Sequence, residues 1–248
     1  MDFKDYDPSL LLNEKNIIGV DESGVGDYFG PLCASAVFIP LQNIKKVEEL
    51  GIKDSKLITS SKKIKELANK LKNSGLIKYA ISHLSPAGFN KLNNSYNTNV
   101  LKMFVHLSAI NKVSESIDDI DYVFIDKYSN NNSIKKYYDT LIMNNWANFK
   151  PIKCDVILAN KAESLSVAVA AASILARDFL IKKMDQMNNQ YNVVFPLGAG
   201  NNVKVFAFNF FKKHNFDKEL INNTCKKSFK MNFELLMGND EKEEIKLF

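Results

Sequence analysis

Asp21 and Glu22 stand side by side after the apolar run Ile17, Ile18 and Val20, directly before glycines at 24, 26 and 30 and Pro31. Two more acids fall in comparable places. Asp126 closes the alternating DYVFID of 121–126, and Glu163 lies near the start of the alanine-rich KAESLSVAVAAASILARDFL of 161–180. An ionised carboxylate at the end of a buried strand costs several kcal/mol unless it is paired or coordinates a metal. Four of them, brought from a strand end, its loop, a second strand end and a helix N-terminus, cannot stay close and ionised without counter-cations. Oxygen-only donors select Mg²⁺ or Mn²⁺, since softer ions take His or Cys. Two such ions about 4 Å apart can activate a water and steady the leaving oxygen of a phosphodiester. That scheme needs no separate general base, which suits a chain with three scattered histidines.

The elements must deliver these groups to one place. Neighbouring side chains on a strand point to opposite faces, so Asp21 shares a face with Gly19 and Glu22 with Val20. Both acids serve one site only if the strand bends or ends at Glu22, which Gly24 and Gly26 permit. The same glycines free backbone N–H groups for a phosphate or sugar. A plain strand followed by a polar turn remains the alternative reading of the Asp-Glu pair. Glu163 is expected in the first turn of a helix over 161–180, where the helix dipole favours a carboxylate and small alanines let the helix approach a sheet closely.

Strands are expected at 17–22, 32–40, 76–84, 121–126 and 154–160, the second close enough to the first to be its antiparallel neighbour. Helices are expected at 44–50, 60–73, from Pro86, at 98–116, 134–144, 161–180 and 202–223. Ligands in α/β sheets gather at the C-terminal ends of strands, which is where Asp126 falls. Lys53 to Thr59, KDSKLIT, offers Ser55 and Lys56 for a phosphate contact, or an ordinary cap for the lysine-rich helix that follows. His106, on the 98–116 helix, reads as structural.

At 248 residues with 46% hydrophobic and 25% charged residues, the chain suits one well-filled α/β domain, with or without a small appendage, and is not disordered as a whole. Its formal charge of +5 understates the basicity left once the four clustered acids are set aside, and a polyanionic partner is plausible. Cys33, Cys154 and Cys225 lack the spacing of a zinc site or redox pair and read as reduced packing residues. The acidic, polar start carries no signal pattern, and the apolar run Val167 to Ala176 is broken by Ser173 and too short for a bilayer. A cytoplasmic protein without membrane contact is expected.

The run GVDESGVGDYFGP resembles the opening signature of the type 2 and type 3 ribonucleases H, and its DYFGP portion resembles ribonuclease HIII in particular. KDSK at 53–56 and the block from Lys161 onward resemble segments of both types, with Glu163 as the type 3 enzymes favour and Val167 where the family usually has proline. VVFPLGAG at 193–200 matches the type 3 pattern. The resemblance implies a ribonuclease H-like α/β fold with a five-stranded mixed sheet flanked by helices and a C-terminal helical extension. It implies three regions: a lead over 1–15, a catalytic domain over 16–223 and a tail over 224–248. Members of the type 3 family usually carry an N-terminal substrate-binding domain for which 1–15 leaves no room, so affinity is expected to come from the catalytic domain.

The resemblance further implies metal-dependent hydrolysis of the RNA strand of RNA/DNA hybrids, leaving 5′-phosphate and 3′-hydroxyl ends. Asp21, Glu22, Asp126 and Glu163 would be the metal ligands. The backbone of Gly24, Val25 and Gly26 would read 2′-hydroxyls, the feature separating RNA from DNA. Val25 departs from the arginine of type 2 enzymes and the polar residue usual in type 3, which argues against efficient incision at a single embedded ribonucleotide. The alternatives are a type 2 activity on such ribonucleotides and a non-catalytic nucleic-acid-binding protein of the same fold. A monomer is expected. Glu244–Phe248, EIKLF, faintly resembles peptides that dock on bacterial sliding clamps, with an unstructured tail as the competing reading.

Overall fold

The computed structural model describes residues 1–52 and 60–233. Ser55 and Lys56 and the tail Glu244–Phe248 lie outside them. Six strands form one mixed sheet in the order β1-β6-β5-β2-β3-β4: β1 Phe3–Asp5, β2 Ile17–Ser23, β3 Leu32–Phe38, β4 Lys78–Leu84, β5 Tyr122–Asp126 and β6 Asp155–Ala159. β1, β6, β5 and β2 run parallel, whereas β3 and β4 are antiparallel additions on the other side of β2. The expected five strands are thus six. β1 lies within the polar 1–15 lead, pairs with β6 at the sheet edge and buries only Phe3, too short a signal for alternation to reveal.

One face of the sheet is covered by α4 (Thr98–Ser114) and α5 (Asn131–Asn144). Their apolar faces bury Met103, Leu107, Ile134 and Tyr138 against Ile18, Val20, Val123 and Val156. Asn97 and Asn130 cap these helices, each accepting a backbone N–H from the first turn. The other face is covered by α6 (Val167–Tyr191), with α2 (Ser61–Asn73) packed behind it, and α1 (Ile44–Glu48) adds Val47 to the same cluster. A Cβ on Gly19 would lie 2.3 Å from the backbone of Ala168 and Val169, so glycine on β2 and alanine on α6 bring helix and sheet together.

α6 differs from the expected 161–180 helix at both ends. It begins at Val167, because Ser166 is extended, and it continues to Tyr191 until Asn192 turns left-handed at φ 51. Its C-terminal half packs with α7 (Asn201–Lys213) and α8 (Lys218–Thr224) around a largely aromatic cluster that includes Phe29, Phe195, Phe210 and Phe211. The single helix expected over 202–223 is broken where Asn215 and Phe216 take left-handed φ values of 52 and 49. α3 (Pro86–Asn93) completes the set and meets the C-terminal segment through Asn90, whose amide donates to the Cys225 carbonyl at 2.9 Å.

Candidate active site

The parallel pairing of β2, β5 and β6 runs out at one level of the sheet, and the acids lie there. In the parallel pairing Val20 is level with Ile125, so Asp21 and Asp126 are the next residues on neighbouring strands. Asp126 Oδ1 accepts the Ala162 N–H at 2.8 Å, which fastens β5 to the turn following β6. That turn, after left-handed Lys161, is a short 3₁₀ segment, Ala162–Ser164, and it holds Glu163 buried. Glu163 is therefore fixed by a turn of its own and not by the first turn of α6. Burial, with the like charges of Glu22 and Asp126, pushes the Asp21 carboxyl well above the usual carboxylate range, and a hydrogen bond with Ser173 of α6 relieves only part of this.

Glu22 behaves differently. β2 does not end there: Asp21, Glu22 and Ser23 stay paired with Ser35, Ala34 and Cys33 of β3. The Asp21 and Glu22 side chains therefore leave the strand on opposite faces, as unbent pleating requires. On the α4 side Glu22 meets two groups that sequence reading did not assign to the site. Lys102 Nζ lies 2.6 Å from Oε1, and His106 donates through Nε2 to Oε2 at 2.8 Å. Burial would raise the Glu22 carboxyl, but His106 and Lys102 outweigh it and hold the group well below the usual range. Lys102 and His106 are four residues apart, hence on one helix face; that spacing was legible, but not what the face would meet.

The donor set is entirely oxygen, and its central carboxyl is crowded by like charge, which fits a hard divalent cation. As they stand, the acids do not enclose one. Among the described residues no group of three or more His, Cys, Asp or Glu side chains is arranged to hold a metal ion.

The loop after β2 is clasped from two sides. Tyr28 N–H donates to Gly198 O at 2.8 Å, and Gly198 N–H returns a bond to Asp27 Oδ1 at 2.6 Å. Opposite, Gly30 N–H reaches Thr224 O, Lys226 N–H reaches Tyr28 O, and the buried Lys226 amine donates to Gly30 O at 2.7 Å. Gly24 is buried with φ 91, and a Cβ there would strike Pro31 O at 2.2 Å, so its glycine is obligatory. Gly26 is exposed with open space around it. Val25 tucks against the cluster of Leu32, Phe89 and Leu101.

This sheet, with acids at the ends of adjacent parallel strands and helices on both faces, has the ribonuclease H-like architecture. Residues 18–232 match the family model of ribonuclease HII. The chain is 34% identical over 225 residues to ribonuclease HIII of Staphylococcus aureus (strain JH9), a match spanning 90% of this chain and 68% of that protein. It superposes on Bst-RNase HIII in complex with Mn²⁺ with a TM-score of 0.79 at 28% identity, covering 94% of this chain and 74% of the other. The Aquifex aeolicus RNase H3 structure matches with a TM-score of 0.64 at 27% identity, covering 86% and 72% of the two chains. The chain belongs to the ribonuclease HII family and resembles its type 3 members, as the DYFGP run led one to expect. It is a ribonuclease of the ribonuclease H type. No helix among the described residues is long and apolar enough to cross a membrane.

Proposed function

We propose that the protein hydrolyses the RNA strand of RNA/DNA hybrids with Mg²⁺ or Mn²⁺, leaving 5′-phosphate and 3′-hydroxyl ends. The observation that carries this is the adjacency of Asp21 and Asp126 at the ends of β2 and β5, with Glu163 on the turn fastened to Asp126. The Mn²⁺ complex of Bst-RNase HIII supports a divalent ion as the cofactor type.

When bound, a pair of hard divalent ions supplies an activated water and charge for the leaving oxygen. Asp21 and Asp126 would offer carboxylate oxygens from the rigid sheet and Glu163 one from the turn, while Glu22, which leaves β2 on the α4 side but lies close enough for its charge to act on Asp21, would join them by reaching round the strand edge. The backbone of Gly24, Val25 and Gly26 lies against the substrate sugars, where exposed Gly26 lets a strand approach closely. Ser55 and Lys56 serve as phosphate contacts in this reading. The chain acts as a monomer, and docking of Glu244–Phe248 on a sliding clamp is a separable proposal, disposed of if deletion leaves clamp binding unchanged.

Asp126→Asn tests the reading. A labelled hybrid with Mg²⁺ should be cut at least on the order of a hundredfold more slowly by the variant. Undiminished hydrolysis would remove Asp126 from the site and the proposal with it.

A further inference from the structure

Lys102 is a buried ammonium on a helix whose neighbouring positions, Leu101, Met103, Val105 and Leu107, are buried and apolar. A charge this deep is retained only where another answers it. Here the answer is Glu22, 2.6 Å away, and the environment is built around that pair. The Tyr128 ring lies under the ammonium with its centroid 3.9 Å from Nζ, and the same ring meets His106 edge-on. His106, fully buried, holds the second Glu22 oxygen. Lys102 and His106 thus converge on a carboxylate whose side chain is only 15% exposed, with the Tyr128 ring packed against both.

We propose that Lys102 is the resident counter-cation of Glu22, a positioning residue that holds the carboxylate ready in the metal-free protein and opposes the loading of divalent ions. The inference rests on the proposed function, since it takes Glu22 as a metal ligand. Its physical content is a competition. Without a metal, the ammonium neutralises a carboxylate beside the already crowded Asp21. With a divalent ion at the acids, the same ammonium competes with that ion for the one negative charge of Glu22. His106 fixes the direction of the carboxylate, so the exchange takes place at a fixed oxygen.

The test measures Mn²⁺ binding by calorimetry on the full chain without substrate, for the parent, Lys102→Met and Lys102→Arg. The Met variant should bind Mn²⁺ at least tenfold more tightly than the parent. It should also melt lower than the parent without Mn²⁺ and recover most of that loss at saturating Mn²⁺. The Arg variant, which keeps the charge, should bind within about threefold of the parent. A lysine that served packing alone would lower melting equally with and without metal and leave affinity unchanged.

Glu22→Gln serves as background if Lys102→Met does not fold, because the double variant, with a neutral amide facing Met, leaves neither buried charge of the pair in place. In that background, replacing Lys102 by Met should move Mn²⁺ affinity by less than threefold. Met-variant affinity equal to or weaker than the parent's overturns the inference, as does a large tightening that persists without the Glu22 charge. A parent chain that binds no Mn²⁺ overturns the proposed function itself.

Discussion

The buried amine of Lys226 donates to the carbonyl oxygen of Gly30, 196 positions earlier, at 2.7 Å. This bond is one strut of the clasp on the loop after β2, and it leaves an ammonium beneath that loop. Burial lowers the pKa of Lys226 to about 8 from 10.5. Between those values the unfolded chain keeps a proton that the folded chain has shed, so the penalty is full below about pH 8 and fades as pH rises towards 10.5. Lys226→Met removes the penalty together with the bond. The stability of the parent relative to the variant should therefore rise across that window, by up to about 3 kcal/mol. Denaturant melts of both proteins at pH 7, 8.5 and 10 measure it, and a difference that stays flat would refute the argument.

Two glycines of the same loop should respond differently to alanine. Gly24 takes φ 91 and has Pro31 O in the way, so Gly24→Ala should cost about 2–3 kcal/mol of stability. Gly26 has open space and an ordinary φ, so Gly26→Ala should stay within about 0.5 kcal/mol of the parent. If the backbone at Gly26 approaches the substrate sugar, that variant should bind a hybrid about tenfold more weakly while melting normally. Thermal melts beside a hybrid-binding titration separate the two effects, and unchanged binding would exclude Gly26 from the contact.

Asp21 is desolvated by burial and crowded by the like charges of Glu22 and Asp126. Replacing it with Asn keeps an oxygen that can accept the Glu22 N–H, a bond of 2.8 Å in the parent, and removes the like charge. At pH 8 with chelator, Asp21→Asn should raise the melting temperature by at least about 3 °C. The same variant should lose hydrolysis. A stabilised, inactive protein is the signature of an acid kept for chemistry at the expense of the fold, and a lower melting temperature would count against it.

Val25 bears on substrate choice. Its side chain packs towards Leu32, Phe89 and Leu101 and offers no polar group to a sugar or phosphate. A continuous hybrid should be cut at least on the order of tenfold faster than a DNA duplex carrying one ribonucleotide, since each lost polar contact to a substrate costs about 1 kcal/mol or more. Rates on the two labelled substrates in Mg²⁺ decide this. Faster cutting of the embedded ribonucleotide would point to a type 2 activity.

Strand ends that carry acids were readable because alternation places Asp126 after Phe124 and Ile125, and an apolar run places Asp21 after Val20. The direction of Glu22 was not. It depended on whether β2 stayed straight through Ser23, and that is settled by pairing with β3. Lys102 and His106 were visible as neighbours on one helix face, yet their meaning required knowing that α4 crosses the end of β2. His106, read as structural, in fact touches a candidate ligand. β1 escaped because three residues with one buried side chain make no pattern. α6 was recognised by its alanines and misplaced at its start, because an extended Ser166 divides the turn of Glu163 from the helix proper.

The clasp on the loop after β2 has a consequence for how the molecule comes into being. Asp27 to Gly30 leave the ribosome early but take partners from Gly198 and from Thr224 and Lys226, near the far end of the described chain. A polypeptide still under synthesis would hold its acids on strands already made, beside a rim lacking its late braces. The finished protein and its nascent form would thus differ at the loop that follows Asp21 and Glu22, which is braced only once Gly198, Thr224 and Lys226 have been made.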